Sequence, residues 1–347
     1  MSAHQLLTDR FRPGNALITG GAGFIGANFV RHWMASDPQI RVVNLDSLTY
    51  AGHLSNLDGM PGADRYTFVQ GDICDEGLVT ELLRIHVIDT IVHFAAESHV
   101  DRSITGPAVF IRTNVTGTFT LLEAARRYWL DEEKLNELSC RFHHISTDEV
   151  YGTLSATDPA FTEKTPYSPN SPYSASKAAS DHLARAYHHT YGLPVTTSNC
   201  SNNYGPYQHP EKFIPTVIRS CMIGAPIPVY GDGSNIRDWL YVEDHCRGID
   251  AVVRKGVPGE CYNIGGWNEW SNIDIVRLIC RLMDEARPDA GPHDRLITFV
   301  TDRPGHDWRY AIDASKIHSD LGWQPRESFE SGIRKTMDWY LTNHGSV

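Results

Sequence analysis

The sequence predicts an α/β fold built on a doubly wound parallel sheet, with a smaller α/β domain toward the C-terminus. Two observations indicate this fold. Short apolar segments alternate with helical patterns, for example at 116–129, up to about residue 200, which is typical of a parallel sheet covered on both faces. Proline, glycine and aromatic residues become more frequent after Asn199. The predicted strands are 16–19, 42–45, 66–69, 90–94, 142–145 and 195–198.

Composition and charge exclude several classes of protein. The net charge of -11 disfavours a general nucleic-acid-binding protein, which usually needs a basic face. Seven scattered cysteines predict reduced thiols in a cytoplasm. The polar start lacks the apolar core of a signal peptide, and no apolar run reaches the roughly 18 residues of a membrane span. The histidine pairs do not have the spacing of metal ligands, so we expect no metal site.

The turn after the first predicted strand has the spacing of a dinucleotide site. Gly20, Gly23 and Gly26 allow a tight turn and let a pyrophosphate approach the N-terminus of a helix. Asp46 ends the second strand about twenty residues later, where an acid binds the ribose 2′-hydroxyl and repels a 2′-phosphate. Asp72 follows the third strand, where an acid can bind adenine. The sequence therefore predicts a Rossmann-type domain that binds NAD.

The domain organisation follows from these two patterns. We expect an N-terminal extension at 1–14, an NAD-binding domain at 15–200, and a substrate-binding part at 201–347, some of whose segments return to the sheet. Within the first domain, a helix is predicted to begin at Ser171, which can cap it, with Pro172 in its first turn.

A catalytic set is predicted at the carboxyl end of the fifth strand and on the helix that follows. Tyr173 and Lys177 are four residues apart and share a helix face. We expect the ammonium to lower the tyrosine pKa, so that the phenolate can accept a proton from a substrate hydroxyl as hydride leaves carbon. Thr147 adds a hydroxyl. Asp148 and Glu149 add two carboxyl groups, which a simple alcohol oxidation does not need but removal of water does.

These residues together resemble the extended short-chain dehydrogenase/reductase superfamily, and within it the nucleotide-sugar 4,6-dehydratases. The triplet Thr147-Asp148-Glu149 is the discriminating motif, because related epimerases lack both carboxylates and related GDP-mannose dehydratases have a smaller hydroxyl residue in place of the aspartate. The resemblance covers nearly the whole chain after the first dozen residues. Its matching segments are 20–26, 46–52, 95–101, 147–152, 173–177, 201–206 and 302–306.

The resemblance implies dehydration of dTDP-glucose to dTDP-4-keto-6-deoxyglucose. Tyr173, assisted by Lys177 and Thr147, would deprotonate the sugar 4-hydroxyl while hydride passes from C4 to NAD+. Glu149 would remove the C5 proton, and a protonated Asp148 would donate to the departing 6-hydroxyl. Hydride then returns to C6, which implies a tightly bound NAD+ that is regenerated each turnover.

The resemblance also implies a set of ligands and a partner. The expected cofactor ligands are Gly20, Gly23, Phe24, Ile25, Gly26, Asp46, Ser47, Leu48, Thr49, Asp72, Ile73, Phe94, Ala95, Ala96, Ser98, Thr113, Tyr173, Lys177 and Asn203. The expected substrate ligands are Ser98, Thr147, Asn202, Lys212, Phe213, Pro228, Tyr230, Arg237, Asn272, Asp302, Arg303 and His306. Among these, Arg237 and Arg303 are expected to bind the pyrophosphate. A homodimer through two helices per subunit is also implied.

Other functions remain open at this point. A UDP-sugar 4,6-dehydratase, a nucleotide-sugar 4-epimerase and a UDP-glucuronate decarboxylase belong to the same superfamily, and the base of the nucleotide cannot be read from the sequence. A non-catalytic NAD-binding regulator is the alternative from another class. The intact set of Thr147, Tyr173 and Lys177 disfavours it, because a regulator does not need a reactive tyrosine.

Overall fold

The computed structural model describes residues 10–302 and 307–343. The twelve strands in these residues are short and form three sheets. In chain order they are β1 (Asn15–Thr19), β2 (Arg41–Asp46), β3 (Tyr66–Gln70), β4 (Thr90–His93), β5 (Arg141–Thr147), β6 (Val195–Cys200), β7 (Asn202–Tyr204), β8 (Ile227–Tyr230), β9 (Ile236–Tyr241), β10 (Cys261–Ile264), β11 (Glu269–Ser271) and β12 (Ile297–Val300).

Seven of the described strands form the main sheet, in the order β3-β2-β1-β4-β5-β6-β10. Every pairing in this sheet is parallel. The first six strands have the order typical of dinucleotide-binding folds. They are the six strands that the sequence predicts, so the doubly wound α/β fold is confirmed. The seventh strand, β10, comes from the C-terminal part of the chain.

Helices connect the strands. They are α1 (Phe24–Ser36), α2 (Glu76–Ile85), α3 (Val100–Thr105), α4 (Pro107–Phe110), α5 (Thr118–Ala125), α6 (Pro172–Tyr191), α7 (Phe213–Ile223), α8 (Val242–Lys255), α9 (Asn272–Ala286), α10 (Ser315–Leu321) and α11 (Phe329–Thr342). The π-helical segment Ile111–Gly117 joins α4 to α5, and a second π-helical segment, Arg126–Glu132, extends α5, so that one longer helical segment results. The helix predicted at 116–129 lies within it. None of the described helices is long and apolar enough to cross a membrane.

The start of α6 is fixed by its own sequence. The Ser171 hydroxyl accepts a hydrogen bond from the Ser174 amide at 3.0 Å, and the Ser174 hydroxyl accepts one from the Ser171 amide at 3.0 Å. Pro172 occupies the first turn, and the helix ends at Gly192 in the left-handed conformation. A cap of this kind stabilises a helix by about 1 kcal/mol. The predicted start is confirmed, and it sets which residues of α6 face the sheet.

Two hydrophobic cores cover the two faces of the main sheet. On one face α1, α8 and α10 pack around Trp33 and Ile249. On the other face α2, α5 and α6 pack around Leu121 and Phe142. Phe11 of the N-terminal extension is buried in the first core, and its amide donates a 2.9 Å hydrogen bond to the Arg254 carbonyl.

The C-terminal part builds a third core beside the carboxyl ends of the main strands. It contains a sheet of order β11-β9-β7 and a parallel pair of β8 and β12. Helices α7, α9 and α11 pack around these strands. Since β7 begins two residues after β6 ends, the chain passes directly from one layer to the other. The cleft between the layers therefore lies at the end of the main sheet where ligands bind in such folds.

Candidate active site

The glycine-rich turn forms a cradle that larger residues would fill. Gly20 has φ +72°, and a Cβ there would lie 2.6 Å from the Ala95 amide nitrogen. A Cβ on Gly26 would lie 2.2 Å from the Gly20 carbonyl oxygen. Gly23 precedes α1 and has no side chain to cap the first amides of that helix. Uncapped amides at a helix N-terminus are suited to bind phosphate, so this cradle fits the pyrophosphate of a dinucleotide.

Asp46 holds the cradle from the end of β2. One oxygen of its buried carboxylate accepts from the Ala22 amide at 2.9 Å, and the other accepts from the Leu48 amide at 2.8 Å. Each carboxylate oxygen can accept more than one hydrogen bond, so the group retains capacity for a ribose hydroxyl. Asn44 fixes the same turn, because its side-chain oxygen accepts from the Gly21 amide at 3.0 Å.

The other predicted cofactor residues follow the carboxyl ends of their strands. Ser47, Leu48 and Thr49 follow β2, Asp72 and Ile73 follow β3, and Phe94, Ala95 and Ala96 follow β4. Burial alone would raise the pKa of the Asp72 carboxyl, but the hydrogen bond from the Cys74 amide at 2.9 Å and the salt bridge with Arg112 at 2.6 Å together lower it. Thr113 is half-buried on the π-helical segment after α4.

Asn114 is a positioning residue that the sequence analysis missed. Its amide side chain accepts from the Glu97 amide at 2.8 Å and donates to the Glu97 carbonyl at 3.0 Å and to the Ser176 hydroxyl at 2.8 Å. It thereby ties the loop that carries Ser98 to helix α6. An asparagine within a helical pattern gives no sequence signal for this role.

The predicted catalytic residues are brought together where β5 ends. Thr147 is the last residue of β5, and Asp148 and Glu149 open the 3₁₀ turn that follows. Tyr173 and Lys177 lie buried on α6, and the Lys177 ammonium donates to the Ile145 carbonyl at 2.7 Å. The Thr147 hydroxyl is within hydrogen-bonding reach of the Tyr173 phenol.

The pKa of Tyr173 is raised, whereas the sequence led us to expect that it is lowered. Burial, followed by the neighbouring Glu149 carboxylate, holds the pKa of Tyr173 well above its usual value, although the hydrogen bond from Thr147 opposes this. Burial also lowers the pKa of Lys177. The expected lowering of the tyrosine pKa is therefore wrong, because the cost of a buried phenolate outweighs the hydrogen bond from Thr147.

Asp148 has the environment of a carboxylic acid. Burial raises the pKa of Asp148 well above its usual range, and the charges of Glu149 and Asp238 raise it further, while Arg237 opposes them. One of its oxygens lies 3.4 Å from the Thr147 hydroxyl oxygen. The other oxygen is buried without a partner among the described residues. A protonated Asp148 can therefore present its proton to the cleft.

Asp238 contributes to this environment and was not predicted. It is buried on β9, and its carboxylate accepts from the Gly266 amide at 2.8 Å and the Asn268 amide at 2.6 Å. The only sequence signal is its position directly after Arg237.

Several predicted substrate residues line the cleft between the layers. Lys212 precedes α7 and donates to the Ser98 carbonyl at 3.4 Å, and the nearby Glu149 charge partly offsets the effect by which burial lowers the Lys212 pKa. Asn202 has a buried side-chain oxygen without a partner among the described residues. The side-chain oxygen of Asn203 is held by His245 at 2.9 Å. Phe213 is half-buried at the start of α7.

Arg237, an expected ligand of the pyrophosphate, is buried and does not lie at the surface. Its guanidinium donates to the carbonyls of Ile236, Trp308 and Asp307 at 2.7, 3.2 and 2.9 Å, and lies over the Tyr310 ring at 4.3 Å. Its charge is close enough to Asp148 to affect the pKa of that carboxyl.

The remaining predicted substrate residues lie farther along the C-terminal part. Pro228 and Tyr230 are exposed on β8. Gly231 follows that strand, and Asp302 lies beside it. Asn272 begins α9, and its amide donates to the Asn235 carbonyl at 3.0 Å. Arg303 and His306 lie outside the described residues. Within residues 10–302 and 307–343, no group of three metal-ligating side chains is placed to hold a metal ion.

Comparison with known proteins shows that this chain is similar to nucleotide-sugar 4,6-dehydratases. The family model described as GDP-mannose 4,6 dehydratase matches residues 17–336. The dTDP-glucose 4,6-dehydratase of Xanthomonas campestris pv. campestris (strain B100) is 60% identical over 329 residues, which cover 94% of this chain and 93% of the relative. That of Salmonella typhimurium (strain LT2) is 58% identical over 337 residues, covering 94% and 92%.

Solved structures of similar proteins include dehydratases and epimerases. The dTDP-glucose 4,6-dehydratase of Streptomyces venezuelae, with NAD bound, is 47% identical, with a TM-score of 0.86 and coverage of 95% of this chain and 98% of that one. The Bacillus anthracis enzyme, in complex with NAD, is 44% identical, with a TM-score of 0.84 and coverage of 95% and 97%. The UDP-glucose 4-epimerase of Thermotoga maritima is 26% identical, with a TM-score of 0.84 and coverage of 95% and 99%.

Proposed function

We infer that this chain, which belongs to the dTDP-glucose 4,6-dehydratase family, catalyses the NAD-dependent dehydration of dTDP-glucose to dTDP-4-keto-6-deoxyglucose. It is therefore a hydro-lyase. The observation that carries this conclusion is the buried Asp148, whose environment favours a protonated carboxyl beside Glu149 and next to Tyr173. An acid next to a base is what elimination of water requires.

For the first step we propose that Tyr173 is the base that removes the proton of the sugar 4-hydroxyl. When bound, NAD+ supplies the hydride acceptor, a positive charge that favours the phenolate, and the hydride that later returns to C6. Thr147 donates a hydrogen bond that favours the phenolate, and Lys177 is anchored one helical turn away by the Ile145 carbonyl. The side chains of these residues hold the reacting hydroxyl and its proton in place.

For the second step we propose that Glu149 and Asp148 divide the work. A ketone at C4 makes the C5 proton acidic, and Glu149 removes it. Asp148 donates its proton to the C6 hydroxyl, which leaves as water. Glu149 then returns a proton to C5, and before the next turnover Tyr173 releases the proton of the 4-hydroxyl to solvent while Asp148 takes one up. Each transfer of this kind contributes about 10²- to 10⁴-fold to the rate.

We further propose the division of the chain between cofactor and substrate. Residues 15–200 bind NAD through the cradle and the ends of β2 to β4. Residues 201–347 mainly bind the nucleotide sugar, with Lys212 and Asn202 near the sugar and Arg237 near the pyrophosphate. The contact between Lys212 and the Ser98 carbonyl, 114 positions apart, supports a site that both parts share.

A mass-spectrometric assay with dTDP-glucose and, separately, UDP-glucose tests the proposed function. We expect loss of one water from dTDP-glucose and a much slower loss from UDP-glucose. Equal loss from both would retain the dehydratase and overturn the thymidine preference. An unchanged mass would favour the 4-epimerase, which interconverts isomers, and sugar NMR would identify it. Release of carbon dioxide from UDP-glucuronate would indicate the decarboxylase. NAD binding without turnover would favour a regulator.

We propose that two copies of the chain associate through the helical segment at 107–132 and helix α6. This segment exposes Val109 (44%), Ile111 (51%) and Phe119 (45%), and Tyr191 at the end of α6 is 50% exposed. Exposed apolar side chains of this size are a feature of surfaces that bind another protein. Light scattering is expected to give twice the mass of one chain, and Phe119→Glu is expected to reduce it toward that of one chain. A single-chain mass for the unaltered protein would refute the dimer.

We also propose a cytoplasmic location. The seven cysteines, all within the described residues, are free thiols, and five of them are buried. Reduced thiols are typical of a reducing compartment.

A further inference from the structure

A buried polar network lies one helical turn beyond Lys177. Asp181 follows Lys177 by four residues on α6, so both side chains face strand β5. The Lys177 ammonium reaches the carbonyl of Ile145 at 2.7 Å. The Asp181 carboxylate reaches the two neighbours of that residue, His144 at 3.0 Å and Ser146 at 2.8 Å. The lysine and the aspartate are therefore held against the same short stretch of strand.

Three side chains donate hydrogen bonds to Asp181. They are the Ser146 hydroxyl at 2.8 Å, the Tyr167 hydroxyl at 2.9 Å and the His144 ring at 3.0 Å. Asp181 is 5% exposed and His144 is fully buried. Burial, followed by the charge of Lys177, lowers the pKa of His144, so that its ring is neutral at neutral pH and donates through Nε2. A buried carboxylate costs free energy unless it is hydrogen-bonded in this way.

The groups that face Lys177 come from four elements. His93 lies on β4, His144 on β5, Cys200 at the end of β6, and Asp181 on α6 itself. Burial lowers the pKa of His93 well below its usual value and raises the pKa of Cys200 to about 12, so both are neutral at neutral pH. Of these four groups in the described part of the chain, Asp181 alone is a carboxylate.

We propose that Asp181 is a positioning residue that keeps Lys177 in its ammonium form through a buried counter-charge held by Ser146, Tyr167 and His144. Nothing in the first step of the reaction requires Asp181 to touch the substrate. Its effect reaches the reacting atoms through Lys177, which lies on the same helix face as Tyr173. The proposal rests on the proposed function for its effect on turnover, but not for its effect on Lys177.

The test compares Asp181→Asn with Tyr167→Phe. The first variant removes the charge and keeps the shape, whereas the second removes one hydrogen bond and keeps the charge. Lys177 is followed directly by NMR of protein labelled with carbon-13 at lysine Cε, its signal identified by its loss in Lys177→Met. In Asp181→Asn we expect Lys177 to lose its proton about one pH unit or more below the unaltered protein. In Tyr167→Phe the shift should be much smaller.

The pH profile of turnover supplies the second readout. Because loss of the Asp181 charge favours neutral lysine, the alkaline limb of kcat for dTDP-glucose should move to lower pH in Asp181→Asn by about the same amount, with little change in KM. A merely structural role would lower the thermal midpoint of both variants and leave the limb in place. If Asp181→Asn does not fold, the double variant Ser146→Ala/Tyr167→Phe should move the limb in the same direction.

The outcomes separate this proposal from the proposed function. The role of Asp181 would be overturned, whatever the activity, if the pH midpoint at which Lys177 loses its proton were unchanged in Asp181→Asn. If Asp181→Asn does not fold, the same criterion applies to the double variant. A moved midpoint in a protein that does not dehydrate dTDP-glucose would retain the role of Asp181 and reject the dehydratase.

Discussion

Replacing Tyr173 by phenylalanine should lower kcat for loss of water from dTDP-glucose by about 10²- to 10⁴-fold. Phenylalanine keeps the buried ring and its edge contact with Phe110, at 6.3 Å between ring centroids, but has no oxygen to accept the proton of the 4-hydroxyl. Without that acceptor the C4 alcohol cannot be oxidised, and the later steps have no ketone to act on. The rate is measured as product mass over time, beside the amount of NAD bound per chain.

Tyr187→Phe is the matched control for this experiment. Tyr187 lies on the same helix fourteen residues after Tyr173, about 21 Å farther along its axis, and its hydroxyl donates to Glu123 at 3.0 Å. The chemical change is identical, so its rate should stay close to that of the unaltered protein. Normal turnover by Tyr173→Phe would refute the role of Tyr173 as base. Equal losses in both variants, together with lower thermal midpoints, would indicate a structural effect of removing a hydroxyl from α6.

The sequence predicted the main sheet well because buried parallel strands leave a clear pattern. Each of the six predicted strands is a short apolar segment, and the structure places them within two residues of the predicted ends. The start of α6 was equally clear, because Ser171 and Pro172 act on residues next to them in the chain. The common face of Tyr173 and Lys177 followed from helix geometry. Local rules were sufficient for all of these features.

The features that the sequence could not predict depend on residues far apart in the chain. The pKa of Tyr173 is set by burial and by Glu149, which no spacing rule describes. Asp238 acts on Asp148 from a strand 90 positions later, and its partners Gly266 and Asn268 come later still. Such effects require the fold to be known, because burial and long-range charge decide the direction of a pKa shift.

The second large effect is expected when the proposed acid, Asp148, or the proposed base, Glu149, is replaced by its isosteric amide. Asp148→Asn and Glu149→Gln should each lower product formation by about 10²- to 10⁴-fold. They should differ in deuterium oxide. With Glu149→Gln no base removes the C5 proton, so recovered dTDP-glucose should carry no deuterium at C5. With Asp148→Asn the base remains and the leaving group is not protonated, so recovered dTDP-glucose should carry deuterium at C5. The reverse pattern would exchange the two roles.

The two substitutions should also be non-additive. After burial, the charge of Glu149 is the largest cause of the raised pKa of Asp148. Glu149→Gln removes that charge, so it lowers the pKa of Asp148 and reduces the fraction of Asp148 that is protonated, while it also removes the base. The double variant is therefore expected to lose less activity than the product of the two single losses, since residues that act as a unit are not independent. Losses that multiply would mean that Glu149 does not help to keep Asp148 protonated.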